Sequence, residues 1–486
     1  MSRQQHYDIA VIGAGVIGAA IAAELSRYTA RVAWFEAAHD VAEGASKANS
    51  AIACSGYDLP PGSLESQLIL QSSPGWERLC RDLDVPFRRI GALSLAFDDE
   101  DAQSLQNLAA QAAEAGVDTE LLTGAALRRA AESAAPKASQ ALHVPAEGII
   151  DPIRLTVGLA KLAVQNGVEL RRSCPVTGFR HHGSGQISHV VTPDSVVSVG
   201  AVINAAGVNA DRITEAADAD RFTMWPRKGQ FLLLDRAVGH LVPKIMCTAP
   251  TPHTRGIYAV PTTNRTVLVG PTAVDGADRT DKTTDAETLG SVWQRAQRLL
   301  PESIARSHVT KTFSGLRPAS DTTYRLEVSS KVPNLVHAAG IRSTGVSAAP
   351  AAARYIRDLV DRNILALTPR PGARAAIDPL PRLAESDTDD AAVCFAARPT
   401  AAPDEHPMVV CACEHVTAAE IAAECRGAVP ATSLDGIRKR TRAMAGRCQG
   451  AYCSVGVSFI LSAATGQQPG AVRQGEPGSQ WQGGTK

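Results

Sequence analysis

The sequence has no surplus of charge of either sign. Its 486 residues contain 49 Lys and Arg against 49 Asp and Glu. That balance argues against a protein that binds nucleic acid or lies on a membrane surface, because both kinds of protein need a basic face. The chain is longer than one ordinary domain, so we expect two or three domains.

A long uninterrupted apolar segment is also missing. The most apolar stretch, Tyr7–Leu25, is broken by Asp8, three glycines and Glu24, and neither a basic leader nor a cleavage site accompanies it. These features argue against a membrane-spanning helix and against a signal peptide. We therefore expect a cytoplasmic protein without a transmembrane segment, one that would contact a membrane only through a partner.

Cysteine is scarce except in one place. Five of the ten cysteines are scattered singly, whereas the other five fall between Cys411 and Cys453. Such clustering is typical of a metal site in a reducing compartment and not of a disulfide framework.

The clustered cysteines have the spacing C-x-C, thirty-four residues, C-x4-C, which makes Cys411, Cys413, Cys448 and Cys453 the predicted ligands. The fifth, Cys425, lies within a predicted helix and is expected in the core. Four thiolates suit an iron–sulfur cluster or zinc. Zinc sites usually use C-x2-C at both ends, so the spacing favours a cluster, with zinc or no metal as the alternatives.

A basic run accompanies these cysteines, formed by Arg438-Lys-Arg440, Arg442 and Arg447. In one interpretation it offsets an anionic cluster or docks an acidic electron partner. In the other it is a solvated helix face.

A glycine pattern stands near the N-terminus, between an apolar run that starts at Asp8 and a predicted helix. Gly13 permits a tight turn, Gly15 lets the backbone approach a pyrophosphate, and Gly18 lets the helix pack on the strand. A second apolar run then ends at Glu36, which suits a ribose hydroxyl. The pattern predicts a dinucleotide site; the alternative is a glycine-rich turn that serves close packing only.

Later stretches add to this site. The polar loop 43–50 suits backbone contact with a large flat ligand, and predicted strands end at Gly207 and Gly340. Ser343-Thr344-Gly345 precedes a helix, whose N-terminus would present N–H groups to an electron-rich ligand. Near Pro318, we expect Arg317 on a constrained turn.

Several of these motifs together resemble the glycine-oxidase-type FAD superfamily: the N-terminal glycines, Gly44-Ala-Ser-Lys-Ala-Asn-Ser50, Asn204-Ala-Ala-Gly207, Gly270-Pro-Thr-Ala273, Ser314-Gly-Leu-Arg317 and Ala339-Gly-Ile-Arg-Ser-Thr-Gly345. Within it the chain is most similar to the branch of anaerobic glycerol-3-phosphate dehydrogenase catalytic subunits and L-2-hydroxyglutarate oxidases. The cysteine segment resembles the bacterioferritin-associated-ferredoxin-like 2Fe–2S domain.

The resemblance implies the cofactors FAD and a 2Fe–2S cluster. Glu36 would hold the adenosine ribose, the backbone of Val176 the adenine, and Gly345 with Val346 the pyrimidine end of the flavin. The full set of implied FAD contacts is Gly13, Gly15, Val16, Ile17, Gly18, Glu36, Ser46, Lys47, Asn49, Ser50, Val176, Ala206, Gly207, Ser343, Thr344, Gly345 and Val346.

The implied fold is an α/β FAD-binding, Rossmann-like domain with an α+β substrate domain of mostly antiparallel sheet, plus a small helical C-terminal iron–sulfur domain. The FAD-binding segments would be about 1–85, 145–215 and 333–365, and the substrate-domain segments about 86–144 and 216–332. We expect a linker over 366–407, the 2Fe–2S domain over 408–465 and a disordered tail over 466–486.

The sequence departs from the family in two places. Relatives usually have a histidine near the flavin where this chain has Cys54, and an unperturbed thiol is a poorer proton acceptor at neutral pH. Cys54 is either part of the chemistry or a small buried residue. Ala412 replaces an arginine that often separates the first two cysteines, which changes the charge near the cluster but not its ligands.

We expect an enzyme, an FAD-dependent dehydrogenase that oxidises a small anionic hydroxy compound and passes electrons through the cluster to a partner subunit or carrier. The rivals are an amine oxidoreductase acting on an amino acid, imino acid or opine, and a non-catalytic electron-transfer subunit. Arg317 is the predicted anion clamp, with a structural ion pair as its alternative. Tyr258 and Arg342 are weaker pocket candidates, and Lys228 is weaker still.

Overall fold

The computed structural model describes residues 6–130, 137–250, 256–380 and 408–480. Its α-helices are α1 Val16–Leu25, α2 Leu64–Ser72, α3 Trp76–Asp82, α4 Asp99–Glu114, α5 Gly124–Ala130, α6 Pro152–Gln165, α7 Ala210–Ala216, α8 Ala286–Ala296, α9 Gly345–Asn363, α10 Ala418–Arg426, α11 Leu434–Thr441 and α12 Ser454–Thr465. In the described ranges no helix combines the length and apolarity that a bilayer crossing requires.

The first strands are β1 His6–Ile12, β2 Val32–Phe35, β3 Ile52–Ala53, β4 Phe87–Arg89, β5 Ala92–Ala96, β6 Glu120–Thr123, β7 Gln140–Val144, β8 Gly148–Ile150, β9 Glu169–Arg171, β10 Gly178–His181 and β11 Ile187–Val191. The others are β12 Val196–Asn204, β13 Met224–Leu234, β14 Ile245–Thr248, β15 Tyr258–Pro261, β16 Val267–Gly270, β17 Val274–Asp275, β18 Val309–Ser320, β19 Arg325–Val328, β20 Leu335–Ala339, β21 Val409–Cys411 and β22 Val416–Thr417.

The first sheet has a parallel centre in the order β20-β12-β1-β2-β9. Its strands read as continuous apolar runs because helices cover both faces. Helices α1, α6 and α9 contribute to the core on one face, and α7 contributes to the core on the other. In such a sheet ligands bind beyond the carboxyl ends of the strands, so the ends of β1, β2 and β12 mark the site.

The second sheet is mostly antiparallel and runs β17-β13-β16-β15-β14-β5-β7-β6, with β18 paired to β13. Only the contact between β14 and β5 is parallel among its described pairs. Helix α8 packs its apolar side on this sheet. These two sheets confirm the fold class predicted from the sequence.

Arg317 lies in a strand and not on a turn, so that prediction was wrong. β18 continues from Val309 through Pro318 to Ser320 and pairs with β13 alone among the described strands. Pro318 suggested a turn, yet an edge strand tolerates proline because one side of its backbone needs no partner.

The two sheets and their helices, up to the end of α9, form what we call the first unit. The first part of the predicted linker, residues 366–380, lies against this unit. Thr29 N donates to Thr368 O at 2.8 Å, and Ile377 N donates to Asp82 O at 2.9 Å. The remainder of the linker, residues 381–407, lies outside the described residues.

The C-terminal unit consists of the β21–β22 hairpin and helices α10 to α12, as predicted for a small helical domain. The tail prediction needs correction for residues 466–480. Val472 is fully buried in the core of this unit. The carbonyls of Arg473 and Gln474 accept the N–H groups of Leu434 and Asp435, which begin α11 and have no partner within that helix. Residues 481–486 lie outside the described residues.

Candidate functional site

The turn after β1 is shaped for close backbone approach. Gly13 has a φ of +101°, and a Cβ there would lie 2.5 Å from Ala205 O at the end of β12. Glu36 reaches into this turn, since its carboxylate accepts the N–H of Ala14 at 2.6 Å and that of Ala38 at 2.7 Å. Burial raises the pKa of Glu36 despite these two backbone donors. The glycine turn and the acid predicted to share a site are therefore adjacent.

The polar loop after β2 closes on the same turn. Ser46 Oγ accepts the N–H of Val16, the first residue of α1, at 2.8 Å. Lys47 forms an ion pair with Glu43. Asn49 fixes the shape of the loop: its side-chain amide donates to Ser46 O at 2.9 Å, and its Oδ1 accepts the N–H of Ala51 at 2.8 Å. Ser46, Lys47 and Asn49 thus lie beside the helix N-terminus where a pyrophosphate would bind.

Helix α9 brings its N-terminus to that of α1. A Cβ on Gly345 would lie 4.0 Å from Ile17 Cδ1, so these two predicted contacts face each other. Thr344, which precedes the helix, bonds through its hydroxyl to Tyr324 at 2.9 Å and to Glu65. Val346 is buried, whereas Ser343 is exposed.

The predicted adenine side lies at the carboxyl end of β2. Val176 and Ala206 pack into one apolar cluster with Phe35. Cys174 N donates to Glu36 O at 2.8 Å, which fixes the segment before Val176 against the acid.

Cys54 lies close to the α9 N-terminus. Its backbone N–H donates to Ser347 Oγ at 2.8 Å, and its side chain is half-buried. The next residue, Ser55, donates through both N–H and Oγ to the buried carboxylate of Glu147. The thiol, which the family resemblance predicts at the place of a histidine, therefore lies in a segment that hydrogen bonds hold at Cys54 and at Ser55.

One face of the second sheet covers the polar loop 43–50. Gly315 on β18 approaches closely, because a Cβ there would lie 3.0 Å from Ala48 Cβ. Arg317 is two residues further along the strand, so its side chain leaves the same face. Its Nε donates to Arg227 O at 3.4 Å and its Nη2 donates to Thr272 O, which fixes the plane of the guanidinium.

Tyr258 lies on that same face. It pairs across β15 and β16 with Gly270, where a Cβ would lie 3.1 Å from the Phe231 ring. Directly paired residues share a face, and the rings of Phe231 and Phe313 stack with centroids 4.9 Å apart. Phe313 is four residues before Arg317 on β18, so aromatic rings and the guanidinium line one surface.

The weaker candidates are placed differently. Lys228 pairs with Leu316, which puts it on the opposite face of the sheet from Arg317, and its Nζ binds Asp281 Oδ2 at 2.8 Å. Arg342 is more than one-third exposed, and its Nη2 lies 3.7 Å from Glu65 Oε2. The structure therefore groups Arg317 with Tyr258 and does not group Lys228 with them.

Sequence reasoning missed three buried polar groups at this site: Glu65 under Thr344, Ser347 on the Cys54 N–H, and Glu147 on Ser55. Glu65 and Ser347 lie in helices, and Glu147 precedes β8. No motif distinguishes such residues from ordinary surface positions, because their partners are up to 295 residues away in the chain.

The four predicted cluster ligands lie close enough to interact with one another. The Cys413 thiol interacts with Cys448 and Cys411, and the Cys453 thiol interacts with Cys411 and Cys448. Burial, with Cys411 beside it, raises the pKa of Cys453 to about 12. The backbone N–H of Tyr452 is the main cause of a lowered pKa at Cys448.

The loops around these thiols are held in uncommon conformations. His415, Met444 and Gln449 all have a positive φ, at 53°, 67° and 50°. Such residues cost about 1–3 kcal/mol each and persist where the surroundings enforce them. Within the described ranges, no group of three or more side chains surrounds a single metal position. A 2Fe–2S cluster takes four thiolates, and hydrogen bonds to sulfur tune its potential.

The basic run divides into buried and exposed parts, and Arg447 belongs to the exposed part, with a side chain that is 83% exposed. Lys439 and Arg440 are buried and form ion pairs with Asp40 and Glu43 of the first unit. Arg442 pairs with Glu414 at 2.9 Å.

The Gly13 turn generates a first prediction. Gly13→Ala should weaken FAD binding at least roughly tenfold, because the new Cβ meets Ala205 O at a φ that L-residues avoid. Gly167→Ala is the matched control, since Gly167 has a similar φ of +95° and nothing lies within 4 Å of its added Cβ. Titration of FAD into flavin-free protein measures both, and equal affinities would contradict the assignment.

The four neighbouring thiols generate a second prediction. Cys448→Ser should remove the iron, the sulfide and the visible circular dichroism of the cluster. Cys425→Ser should retain them, because that thiol is buried in α10. Metal and sulfide analysis decides, and a Cys448→Ser protein with full iron content would refute the ligand set.

Comparison with known proteins agrees with both sites. A model of the FAD dependent oxidoreductase family matches residues 8–359, and a model of the BFD-like 2Fe–2S binding domain matches residues 409–463.

Individual relatives cover nearly the whole chain. A glycerol 3-phosphate dehydrogenase from Caloramator mitchellensis is 32% identical over 476 residues, which is 97% of either chain. A subunit of the anaerobic glycerol-3-phosphate dehydrogenase of Escherichia coli strain K12 is 26% identical, over 94% of this chain and 88% of the relative. A solved structure of L-alpha-glycerophosphate oxidase from Mycoplasma pneumoniae with FAD bound superposes with a TM-score of 0.72 at 26% identity, and the match covers 77% of this chain and 98% of that one.

The residues present fit both groups. Gly13 lets the turn after β1 pack against Ala205, Glu36 and Ser46 reach the same turn, and the four neighbouring thiols supply the donors of an iron–sulfur cluster. This chain belongs to the FAD dependent oxidoreductase family and carries a BFD-like 2Fe–2S binding domain at its C-terminal end, so it is an FAD-dependent oxidoreductase with an iron–sulfur cluster.

Proposed function

We propose that this enzyme oxidises glycerol 3-phosphate and passes the electrons through its cluster to a separate acceptor protein. The observation that carries the proposal is the Arg317 guanidinium, held on the sheet face that covers the flavin loop. The full-length relatives named above, a glycerol 3-phosphate dehydrogenase and one chain of an anaerobic dehydrogenase, support this substrate.

Arg317 is suited to a phosphate. A guanidinium binds a phosphate through two parallel hydrogen bonds and stays charged at any physiological pH. The carbonyls of Arg227 and Thr272 orient it, and Gly229 leaves space beside it, since a Cβ there would lie 3.1 Å from Nη2. Arg317 would therefore fix the anionic end of the substrate, while Tyr258 and the Phe231–Phe313 stack exclude water from its carbon chain.

When bound, FAD accepts the hydride from the substrate carbon and the cluster carries its electrons one at a time. The chain supplies position, and a group that takes the hydroxyl proton. We propose that this group lies in the segment around Cys54, which by the family resemblance stands where relatives usually have a histidine. Arg342 would steer the anion at the entrance, because it is partly exposed beside Glu65.

The acceptor would approach the loop that carries Cys448 and Cys453. Tyr452 lies between these cysteines and is 88% exposed, and Arg447 before them has a side chain that is 83% exposed. The cluster ligands are thus close to open surface, as electron transfer to a second protein requires. The cytoplasmic location expected from the sequence stays a prediction.

Anaerobic addition of substrates to the purified enzyme tests the reaction. Glycerol 3-phosphate should bleach the flavin band, whereas glycerol, which lacks the anion, should not. Bleaching by glycine or another amino acid would favour an amine oxidoreductase, for which the missing histidine is no obstacle. An absence of bleaching with every compound would refute the proposal in favour of a protein that only transfers electrons.

Arg317→Ala should lower kcat/KM for glycerol 3-phosphate by about 10- to 100-fold, because charged hydrogen bonds contribute about 1.5–3 kcal/mol each. Lys228→Met is the control, since it removes a cation from the opposite face of the same strand pair. Equal kinetics for Arg317→Ala and the unmodified enzyme would rule out the clamp.

A further inference from the structure

Helix α11 of the cluster unit presents a buried cation to a loop of the first unit, residues 40–47, which we name the bridging loop. Arg440 binds Asp40 through two hydrogen bonds, Nη1 to Oδ2 at 2.6 Å and Nη2 to Oδ1 at 2.8 Å. Both side chains are at most 1% exposed. Arg172 adds a second cation at Asp40 and also donates to Pro430 O at 2.8 Å.

Lys439 extends this contact along the bridging loop. Its Nζ lies 2.9 Å from Asp40 Oδ2, donates to Val41 O at 3.0 Å and forms an ion pair with Glu43. Glu43 also pairs with Lys47, so the carboxylate of Glu43 joins the cluster unit to the polar loop 43–50, which carries the predicted FAD contacts.

The other side of the bridging loop contacts the glycine turn. Ala42 N donates to Ala14 O at 2.9 Å, and Ala42 adopts a φ of 62° that an alanine does not choose freely. Ser46 Oγ accepts the N–H of Val16 at 2.8 Å. The bridging loop therefore touches α11 on one side and the predicted pyrophosphate turn on the other.

The buried carboxylates of the bridging loop depend on the cations of α11. Burial opposes ionisation of Asp40 and Glu43, yet Arg440 and Lys439 outweigh it and hold the pKa of both carboxyls below the usual range. A buried carboxylate that loses its partner cation is strongly destabilised. Removal of α11 would take Arg440 and Lys439 from these carboxylates and leave Arg172 at Asp40 and Lys47 at Glu43.

We propose that docking of the cluster unit holds the bridging loop in place, so that Lys439 and Glu43 are positioning residues for FAD. The cluster unit then carries electrons and also stabilises the flavin site. The affinity for FAD consequently depends on the docked cluster unit. The proposal concerns FAD and holds whatever the substrate is.

The test is FAD affinity of flavin-free, full-length protein with its cluster intact. Lys439→Met and Glu43→Gln should each raise the Kd for FAD about tenfold, and the double variant should be no worse than either alone, because the two residues act as a pair. Arg438→Met is the matched control, since its ion pair with Asp435 stays within α11. Its Kd should equal that of the unmodified protein.

Iron content and circular dichroism establish that each variant is folded. Glu43→Gln keeps the size and the acceptor oxygen of the side chain, so it decides the matter if Lys439→Met fails to fold. A Kd for FAD unchanged in folded Glu43→Gln protein would overturn the proposal.

Hydrogen exchange provides a readout independent of affinity. Coupling between two sites is reciprocal, so FAD binding should slow backbone exchange in α11, where Lys439 lies 396 positions after its partner Glu43. This protection should disappear in Lys439→Met and persist in Arg438→Met. Identical exchange in α11 with and without FAD would contradict the coupling.

Discussion

The pair of Arg440 and Asp40 is the contact on which the arrangement of the two redox units depends. A guanidinium with no exposed surface meets a carboxylate through two short hydrogen bonds, and Lys439 and Arg172 surround the same carboxylate. Removing water from these charges is costly, and only close partners offset the cost. The cluster unit is therefore fixed by a specific constellation of charges, and Val429 adds an apolar contact with the core of the first unit.

This constraint orders the flavin site. The bridging loop reaches from Asp40 to Lys47, and the glycine turn beside it meets the ends of β2 and β12. The second sheet closes the site from above, where Gly315 presses on the polar loop and Arg317 projects from the same face. Parallel strands thus provide the dinucleotide end, the antiparallel sheet provides the substrate end, and the C-terminal unit holds the loop between them.

Local chemistry was predictable and long-range burial was not. The strand–glycine–helix–acid pattern predicted the contact of Glu36 with the Gly13 turn, because those residues belong to one supersecondary unit. The cysteine spacing likewise predicted the four thiols that lie close together. The sequence could not show that Arg440 is buried, since its partner Asp40 lies 400 positions earlier. Pro318 misled because it is tolerated on an edge strand, and Val472 gives the polar tail an anchor in the core.

The central claim is that oxidation of glycerol 3-phosphate at the flavin reduces the cluster of the same chain. Anaerobic enzyme mixed with an excess of glycerol 3-phosphate, frozen and examined by electron paramagnetic resonance, tests this directly, with dithionite-reduced enzyme as the reference. The account predicts the signal of a reduced 2Fe–2S cluster together with loss of the oxidised flavin band. A bleached flavin beside a cluster that stays oxidised and silent would contradict it.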